Sequence, residues 1–345
     1  CSFWRLRDQR GPEGATLTVI IMKVGFVTKS LTDGNAQRGV GFYAKRLLPK
    51  LKEYSKKFGI EIFEIENSFQ ISNFKFQIIH YPYFDLFYHT LPIFKKTKTI
   101  VTIHDVIPLE FPDHYPPGVR GRLNLQLQKL ALSRAEGVIT DSHASVKSIH
   151  KYLGVPHEKL KLIYLAADEK FKPIKDKKKL LDVKKKYELP ENFVLYVGDI
   201  NWNKNIPNLI KACEQINYPL VIVGKQAAEI EEMDLNHPQL QHLNNLDFKN
   251  VICLGFVSDG DLVDIYNLAT VYCQASYAEG SALPILEAMS CGTQIACSEI
   301  ECFKEHAGET AEYFDPQDVS DIVKAVKKTV NNKFDVTSHA KKFSW

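Results

Sequence analysis

Two glutamates separated by seven residues, Glu279 and Glu287, lie in the stretch whose residue types could do the most chemistry. Gly280, Ser281, Ala282 and Leu283 precede Pro284, which suits the first helical position because its missing N–H is not needed there, and Gly292 predicts the helix end. A glycine-bearing turn before a helix directs free N–H groups and the positive end of the helix dipole to one point, which suits a phosphate. Ionised carboxylates accept hydrogen bonds from neighbouring hydroxyls, as on ribose or hexose. Together these features predict a nucleotide-sugar site.

The run from Glu279 to Glu287, followed by Ala-Met-x-Cys-Gly-Thr, resembles the donor-site signature of retaining glycosyltransferases of family 4, which have the GT-B fold. The resemblance implies that Glu279 contacts the transferred sugar in catalysis and that Glu287 holds the nucleotide ribose. It extends the donor site to the residues between them, Gly280, Ser281, Ala282 and Leu283. Ser281 and Ala282 depart from the usual Glu-Gly-Phe-Gly-Leu-Pro. The alternative is an ordinary helix whose N-terminal glutamate interacts with the helix dipole.

Two glycines near the start of the chain, Gly39 and Gly41, open a segment with apolar residues near helical spacing. Glycines at a helix start let a ligand approach the backbone closely. The motif resembles the glycine-rich loop of the same family, which implies that both glycines line the cleft under the donor diphosphate and the acceptor. A generic turn is the alternative. A dinucleotide fingerprint is excluded because no third glycine completes Gly-x-Gly-x-x-Gly.

A histidine and an aspartate, His104 and Asp105, stand at the carboxyl end of a predicted strand. The stretch resembles the family's His-Asp segment, which implies that His104 is a catalytic residue touching the transferred sugar, although a histidine in such a place is often structural. Asp105 either orients the imidazole or caps the following turn. Ser142 follows another predicted strand, and the resemblance makes it a cleft candidate. Helix capping by Asp141 or Ser142 explains that segment equally well.

A lysine after the first strand of the second half, Lys204, can place a point charge on a departing diphosphate. The resemblance implies the same catalytic and donor-binding role. Family members usually carry an arginine near this turn, and Asp199 and Asn203 stand in its place. The absence of one cation predicts weaker stabilisation of negative charge, and Asn203 is a cleft candidate. Glu305 matches the family's glutamate near the end of the domain.

Alternating strand and helix patterns must position all of these residues. The strand candidates are 23–27, 61–65, 76–81, 98–104, 137–141 and 160–165 in the first half, and 193–198, 220–224, 250–255, 271–275, 294–297 and 311–314 in the second. Such alternation predicts an α/β protein with parallel sheets covered on both faces. Ligands in these sheets bind at the carboxyl ends of the strands. We therefore expect two doubly wound, Rossmann-like domains facing each other across a shared cleft, which is the GT-B arrangement.

The predicted domain boundaries follow the composition. Residues 1–21 form an expected non-native or unstructured extension, because the chain begins with Cys and Met22 opens a clean strand. The acceptor domain spans 22–170, a lysine-rich linker or hinge with a charged helix spans 171–190, and the donor domain spans 191–345. A Phe-Ser-Trp segment like that at 343–345 introduces, in the family, a final helix that crosses back onto the first domain. We expect a truncated form that lacks this helix.

The charge is strongly asymmetric between the two halves. Residues 22–190 contain 30 Lys and Arg against 17 Asp and Glu, a net charge of +13, whereas residues 191–345 contain 11 against 22, a net charge of −11. Opposed halves attract across a cleft, and the basic half suits an anionic acceptor or the inner surface of a membrane. A solvated lysine-rich face is the alternative, and we expect no nucleic-acid partner.

Seven scattered cysteines without a Cys-x-x-Cys pair favour reduced thiols in a cytoplasm. No apolar run reaches the roughly 18 residues of a membrane span.

The leading prediction is a hexosyltransferase that moves mannose, glucose or N-acetylglucosamine from a nucleoside-diphosphate sugar to a glycan or lipid-linked acceptor. The resemblance implies reaction on one face of the sugar, with the leaving phosphate helping to deprotonate the acceptor. The nucleotide sugar is a co-substrate, and we expect no metal or other cofactor. The alternatives are a nucleotide-sugar epimerase of the same fold and a non-catalytic nucleotide-sugar-binding paralogue.

Overall fold

Two parallel six-stranded sheets form the framework of the protein. The computed structural model describes residues 22–32, 39–66 and 74–345, so the predicted extension 1–21 lies outside the described residues. Every strand pair in both sheets is parallel, and the strand orders are β2-β1-β3-β4-β5-β6 and β12-β11-β10-β7-β8-β9. In each sheet the order reverses next to the first strand of its domain. This arrangement confirms the predicted doubly wound α/β class.

The first domain alternates strands and helices from Met22 onward. Its strands are β1 Met22–Val27, β2 Ile60–Ile65, β3 Ile78–Tyr81, β4 Lys98–Thr102, β5 Gly137–Thr140 and β6 Leu160–Leu162. Its helices are α1 Gly39–Ser55, α2 Ile107–Glu110, α3 Gly118–Ser133 and α4 His143–Leu153. Ser142 begins α4 because its side chain accepts the Ser145 N–H, and Gly154 ends it in the left-handed conformation that glycine adopts readily.

The second domain repeats the pattern. A helix of the predicted hinge, α5 Lys177–Lys186, comes first. The strands are β7 Val194–Val197, β8 Leu220–Val223, β9 Val251–Cys253, β10 Val271–Gln274, β11 Ile295–Ser298 and β12 Ala311–Phe314. The other helices are α6 Ile206–Ile216, α7 Lys225–Ala228, α8 Asp259–Leu268, α9 Leu283–Cys291, α10 Glu301–Ala307, α11 Val319–Asn331 and α12 Val336–Ala340. All twelve predicted strands of the chain are present, with ends that differ from the predictions by at most three residues.

The second sheet is buried on both faces. Successive residues of β7 belong to different core clusters. Leu195 belongs to one cluster, together with Tyr272 of β10, whereas Val194 and Tyr196 belong to the other. Alternation of side chains along a strand explains this division, because residues i and i+1 point to opposite faces. The continuous apolar runs of these strands therefore follow from burial on two sides.

The charged helix α5 packs on the second domain. Asp176 begins the helix by accepting the Lys178 and Lys179 N–H groups, and Val183 is buried in one of the core clusters of the second sheet. Lys179 also forms an ion pair of 2.8 Å with the buried Asp264 on α8. The lysine-rich region expected near the hinge thus contributes a helix to the core of the donor domain.

The two domains are in close contact where Gly280 meets the backbone of His104, two residues after β4. A Cβ atom at Gly280 would lie 2.4 Å from the His104 carbonyl oxygen and 2.7 Å from the Asp105 Cβ, which is closer than real Cβ contacts. The Ser145 hydroxyl lies 2.8 Å from the His104 carbonyl oxygen and 3.2 Å from that of Gly280. Only a residue without a side chain permits this approach of the two backbones.

The Gly280 contact gives a testable prediction. Gly280→Ala should lower the free energy of unfolding by roughly 1–3 kcal/mol and loosen the domain contact, because the new methyl forces the two backbones apart. Thermal unfolding and the radius of gyration from X-ray scattering measure the two effects.

A matched control is Gly260→Ala in the first turn of α8, where the nearest atom to an added Cβ lies 3.9 Å away. This change should be neutral or stabilising by about 0.4–1 kcal/mol. Equal unfolding temperatures and equal radii for wild type and Gly280→Ala would show that the close approach does not constrain the protein.

Candidate active site

A cleft of about 510 Å³ lies between the domains, at the carboxyl ends of strands from both sheets. The acceptor-domain side includes α1 and the residues after β4, and the donor-domain side includes the residues after β7, β8, β9 and β10. The predicted residues that line it are Gly39, His104, Asp105, Asn203, Lys204, Glu279, Gly280, Ser281, Leu283 and Glu287. The residues chosen from sequence therefore converge on one cleft.

An ion pair between Lys204 and Glu279 lies at the donor-domain side of the cleft. The Lys204 ammonium donates to both carboxylate oxygens of Glu279, at 2.7 and 2.8 Å. Gln274 and Ser276 also donate to Glu279 Oε1, at 2.8 and 2.7 Å. Burial lowers the pKa of Lys204, but the adjacent Glu279 carboxylate outweighs burial, so the net pKa is raised and the lysine keeps its charge.

The loop geometry explains why Lys204 points into the cleft. Lys204 ends a short 3₁₀ turn, and Asn205 after it adopts the left-handed conformation at φ 54°. The Asn205 side-chain amide donates to the carbonyl oxygens of Ala275 and Pro316, at 3.0 and 2.7 Å. Asparagine tolerates this backbone conformation better than most residues, and its amide ties the turn to the end of β10.

A histidine and aspartate pair lies on the acceptor-domain side. His104 Nδ1 and Asp141 Oδ2 are 2.5 Å apart, and Asp141 is fully buried. Burial lowers the pKa of His104, but Asp141 outweighs burial and the net pKa is raised. The Tyr43 ring packs edge-on against the imidazole, with ring centroids 4.7 Å apart. Asp141 therefore fixes the orientation of the imidazole at the cleft wall.

Of the two roles predicted for Asp105, the structure supports the cap. Asp105 Oδ1 accepts a hydrogen bond from the Ile107 N–H at 3.0 Å. This N–H is in the first turn of α2 and has no carbonyl partner within the helix. Desolvation by burial raises the pKa of the Asp105 carboxyl. The other predicted role, orientation of His104, falls to Asp141, which accepts a hydrogen bond from His104 Nδ1. The sequence pattern indicated Asp141 only as a helix cap.

Glu287 is held by a cation that the sequence analysis missed. Arg46 on α1 donates to Glu287 Oε1 at 2.9 Å, and the Tyr266 hydroxyl donates to Oε2 at 3.1 Å. The side chains of Arg46 and Glu287 are only 10% and 7% exposed. Burial raises the pKa of Glu287, and Arg46 opposes that rise. The sequence could have drawn attention to Arg46, because it is a cation on the same face of α1 as Tyr43. Its partner Glu287 lies 241 residues away, however, so the pair could not be identified.

Four predicted residues lie behind the cleft wall. Gly41 is buried within α1, and the Ala282 side chain lies in the core of the donor domain, so its methyl group does not enter the cleft. Ser142 caps α4. Glu305 accepts the N–H groups of His143 and Ala144 at 2.8 and 3.0 Å, which caps the same helix from the other domain.

Asn203 links the two domains by hydrogen bonds. It stands at a position where the family often has a cation. Its side-chain oxygen accepts the Tyr115 hydroxyl at 2.6 Å, and its amide donates to the Ala278 carbonyl oxygen at 3.0 Å. Among the described residues, the cations that line the cleft are Arg46, Lys204 and Lys225. Arg46 and Lys204 each have a carboxylate partner. Both of these cations are therefore already engaged by a carboxylate of the cleft.

No group of three or more His, Cys, Asp and Glu side chains in residues 22–32, 39–66 and 74–345 is arranged to hold a metal ion. Within the same ranges, no helix has the length and apolar character that crossing a bilayer requires.

The chain matches two family models. Residues 35–171 match the model described as Glycosyltransferase Family 4, and residues 177–344 match the model described as Glycosyl transferases group 1. The first range lies almost entirely in the first domain, after its first strand, and the second range lies in the second domain with α5. The donor-site motif and the glycine-rich loop lie within the matched ranges.

Two of the proteins similar in sequence are named as mannosyltransferases. The chain is 31% identical over 265 residues to the serotype-specific mannosyltransferase WbdA of Escherichia coli, covering 72% of this chain and 32% of that protein. It is 27% identical over 280 residues to O-antigen chain mannosyltransferase B of Escherichia coli, covering 76% and 72% respectively. The chain thus spans about a third of the length of WbdA.

The fold is shared with a solved structure. Sucrose-phosphate synthase from Thermosynechococcus elongatus has a TM-score of 0.65 and 19% identity to this chain, covering 93% of this chain and 92% of that one. This similarity confirms the predicted GT-B fold.

The Arg46–Glu287 pair gives a prediction about stability. Arg46→Met should destabilise the protein by roughly 3–5 kcal/mol, because it leaves Glu287 charged, buried and without its main partner. The double variant with Glu287→Met should lose much less than the sum of the two single variants. Denaturant unfolding of the four proteins measures the coupling.

The control is the exposed ion pair of Lys50 and Glu169, which starts from the same helix. Lys50→Met should leave the free energy of unfolding essentially unchanged, because water and salt screen such pairs. Strict additivity of the Arg46 and Glu287 variants would contradict a coupled pair.

The His104–Asp141 pair gives a prediction about pH. The folded pKa of His104 is raised above the unfolded value of about 6.5. The pair therefore contributes stability that is fully present below about pH 6.5 and is lost as pH rises through the folded pKa. Asp141→Asn should lower the pKa of His104, since burial then acts without the opposing carboxylate, and should flatten this pH dependence. NMR titration and unfolding at several pH values measure both.

An internal control is His242, whose pKa burial lowers to about 4. Its titration should be the same in wild type and Asp141→Asn. An unchanged His104 pKa in the folded variant would rule out Asp141 as the cause of the shift.

Proposed function

Because the chain belongs to the glycosyl transferases of group 1 and glycosyltransferase family 4, we propose that it transfers a hexose from a nucleoside-diphosphate sugar to a glycan or lipid-linked acceptor. The observation that carries this proposal is the partly buried ion pair of Lys204 and Glu279 beside Gly280 in the interdomain cleft. It places a cation for a diphosphate next to a carboxylate for sugar hydroxyls. The nucleotide sugar is a co-substrate, and the proposal invokes no metal.

The diphosphate binds at Lys204 and at the start of α9. Lys204 has three N–H donors, so it can keep a hydrogen bond to Glu279 while it donates to a phosphate oxygen. The helix that begins at Leu283 adds backbone N–H groups and its positive dipole end. These groups stabilise the negative charge that collects on the leaving diphosphate in the transition state.

The ribose binds at Glu287. Arg46 and Tyr266 occupy part of this carboxylate, whose two oxygens offer about four acceptor positions. The remaining positions can accept ribose hydroxyls while Arg46 keeps the carboxylate ionised. Arg46 therefore acts as a positioning residue that connects nucleotide binding to domain contact.

The transferred sugar lies between His104 and Glu279. Both line the same cleft, one from each domain, and both are oriented by buried partners. The reaction proceeds on one face of the sugar with retention of configuration, and the leaving phosphate accepts the acceptor proton. A second carboxylate acting as nucleophile, as in retaining glycosidases, is not part of this mechanism.

Mannose is the hexose that the relatives favour. WbdA and O-antigen chain mannosyltransferase B carry mannosyl transfer in their names, and the chain is 31% and 27% identical to them. By the same reasoning the acceptor is a growing saccharide chain of the O-antigen type. A non-catalytic binding protein is the second candidate, because Asp199 lines the cleft near where the family often has an arginine.

Turnover tests the role of Lys204. Lys204→Ala should lower the rate of nucleoside diphosphate release by roughly two to three powers of ten, because one preorganised cation is lost from the leaving group. Lys225→Ala is the matched control: Lys225 also lines the cleft, but its side chain is 61% exposed and pairs only with Glu229. The control should retain most of its activity.

The donor is identified by incubating the protein with GDP-mannose, UDP-glucose or UDP-N-acetylglucosamine and a saccharide acceptor. Release of free nucleoside diphosphate with an α-linked product from an α-linked donor supports retaining transfer. Conversion of the sugar without nucleotide release would indicate an epimerase. A nucleotide sugar that raises the unfolding temperature without any turnover would indicate a binding protein. Near-normal turnover of Lys204→Ala would remove this lysine from the mechanism.

A further inference from the structure

The turn that carries Lys204 packs against aromatic rings of the other domain. The Trp202 indole belongs to the same 3₁₀ turn as Lys204. It stacks on the His114 imidazole, with ring centroids 3.7 Å apart and ring planes within 9° of parallel. The Phe111 ring lies 5.0 Å from the same indole, at an angle of 51°. A turn of the donor domain is therefore held by side chains of the acceptor domain.

A hydrogen bond accompanies this ring packing. The Tyr115 hydroxyl donates to the Asn203 side-chain oxygen at 2.6 Å and accepts the Asn203 N–H at 3.4 Å. Both side chains are buried. Stacked rings can slide over each other, whereas a hydrogen bond has a preferred distance and angle. The stack and the hydrogen bond together hold the two residues that precede Lys204.

Residues 111–115, which we call the clamp segment, make all of these acceptor-domain contacts. Phe111 follows α2 directly, and its carbonyl oxygen accepts the His114 and Tyr115 N–H groups at 3.1 and 3.2 Å. Pro112 fixes one backbone dihedral angle inside the segment. The clamp segment is thus a tight turn rather than an open loop, which suits it to hold another element in place.

The Asn203 backbone and side chain also connect to the segment that ends at Glu279. The Asn203 carbonyl oxygen accepts the Tyr277 N–H at 2.8 Å, and its side-chain amide donates to the Ala278 carbonyl oxygen at 3.0 Å. The Tyr277 ring lies 5.0 Å from the Trp202 indole. The clamp segment therefore packs on the place where the two segments that bear the cleft ion pair are joined.

The charges around Lys204 make such support useful. Burial lowers the pKa of Lys204, and nearby carboxylates, chiefly Glu279 and then Asp199, raise it further than burial lowers it. The same carboxylates attract the ammonium away from any phosphate in the cleft. A backbone turn that is held from outside limits how far the flexible lysine side chain can follow them.

We propose that Trp202 is a positioning residue, which the clamp segment holds so that Lys204 faces the leaving diphosphate. The inference rests on the proposed function, in which this lysine stabilises negative charge on the leaving group. Such stabilisation depends on preorganisation of the charge. Displacement of a catalytic group by about 1 Å can lower a rate about a hundredfold. The acceptor domain thereby acts on the donor side of the reaction through ring packing.

Turnover of ring variants tests the proposal. His114→Ala should lower the rate of nucleoside diphosphate release roughly tenfold, and Trp202→Ala roughly a hundredfold, because the lysine turn loses its outside support. His114→Phe should restore most of the rate, since a phenyl ring can stack on the indole as the imidazole does. Tyr115→Phe removes the hydrogen bond but keeps the ring, and it should lower the rate several-fold, by about 3 to 10 times.

A double-mutant cycle with Lys204→Ala distinguishes positioning from simple domain packing. If the rings act through the lysine, His114→Ala should have little further effect in the Lys204→Ala background. An equal loss in both backgrounds would overturn the proposal and make the stack a domain contact only. Wild-type rates in both His114→Ala and Trp202→Ala would also overturn it. Thermal unfolding checks folding, and the His114 and Tyr115 variants are sufficient if Trp202→Ala does not fold.

The matched control is His157→Ala. His157 stacks on His150 with ring centroids 4.0 Å apart, also in the acceptor domain but outside the residues that line the cleft. Loss of this imidazole should leave the rate unchanged with and without Lys204. A tenfold loss in the control would show that removal of any stacked histidine lowers the rate, and it would overturn the proposal.

Nucleotide binding separates this proposal from the proposed function. GDP and UDP are titrated into wild type, and the one that binds is used with the variants. His114→Ala should weaken its binding several-fold, by about 3 to 10 times, but should have no effect in Lys204→Ala. That result without any turnover of wild type would contradict the proposed function but not the positioning of Lys204. Turnover with equal losses in both backgrounds would do the reverse, and binding of neither nucleotide would overturn both.

Discussion

The approach of Gly280 to the backbone of His104 is the constraint on which the rest of the site depends. The space available there excludes even a methyl group, since an added Cβ would lie 2.4 Å from a carbonyl oxygen. This contact sets the distance between the two sheets at their carboxyl ends. It brings a histidine fixed by one domain and a lysine fixed by the other to the same cleft. The glycine of the donor-site motif therefore has a role in domain contact in addition to any role in ligand approach.

The ion pairs across the interface follow from the opposite net charges of the two domains. Arg46 and Lys147 of the acceptor domain pair with Glu287 and Glu301 of the donor domain. Arg46–Glu287 is buried, and Arg46 opposes the rise that burial causes in the pKa of Glu287, whereas Lys147–Glu301 is exposed and contributes little to stability. A donor that binds at the buried pair must join existing hydrogen bonds. Nucleotide binding and domain contact are consequently coupled through one carboxylate.

The sequence predicted what depends on local patterns and missed what depends on distant partners. Apolar runs and their spacing located all twelve strands, and the motif from Glu279 to Gly292 correctly predicted a loop, a helix and its end. The partners of His104 and Glu287 lie 37 and 241 residues away, so no local periodicity could identify them. Similarly, Glu305 matched a motif, yet its place as a cap on α4 depends on how the domains meet.

The same limit applies to α3. The apolar residues of α3 are evident in the sequence, but which of its faces packs inward depends on the loop before β4 that lies beside it. The acceptor-domain cations at the interface, such as Arg46, find carboxylates on the donor domain, which is the acidic one. The cations of residues 86–98 and 118–134 have no acidic residue within those segments.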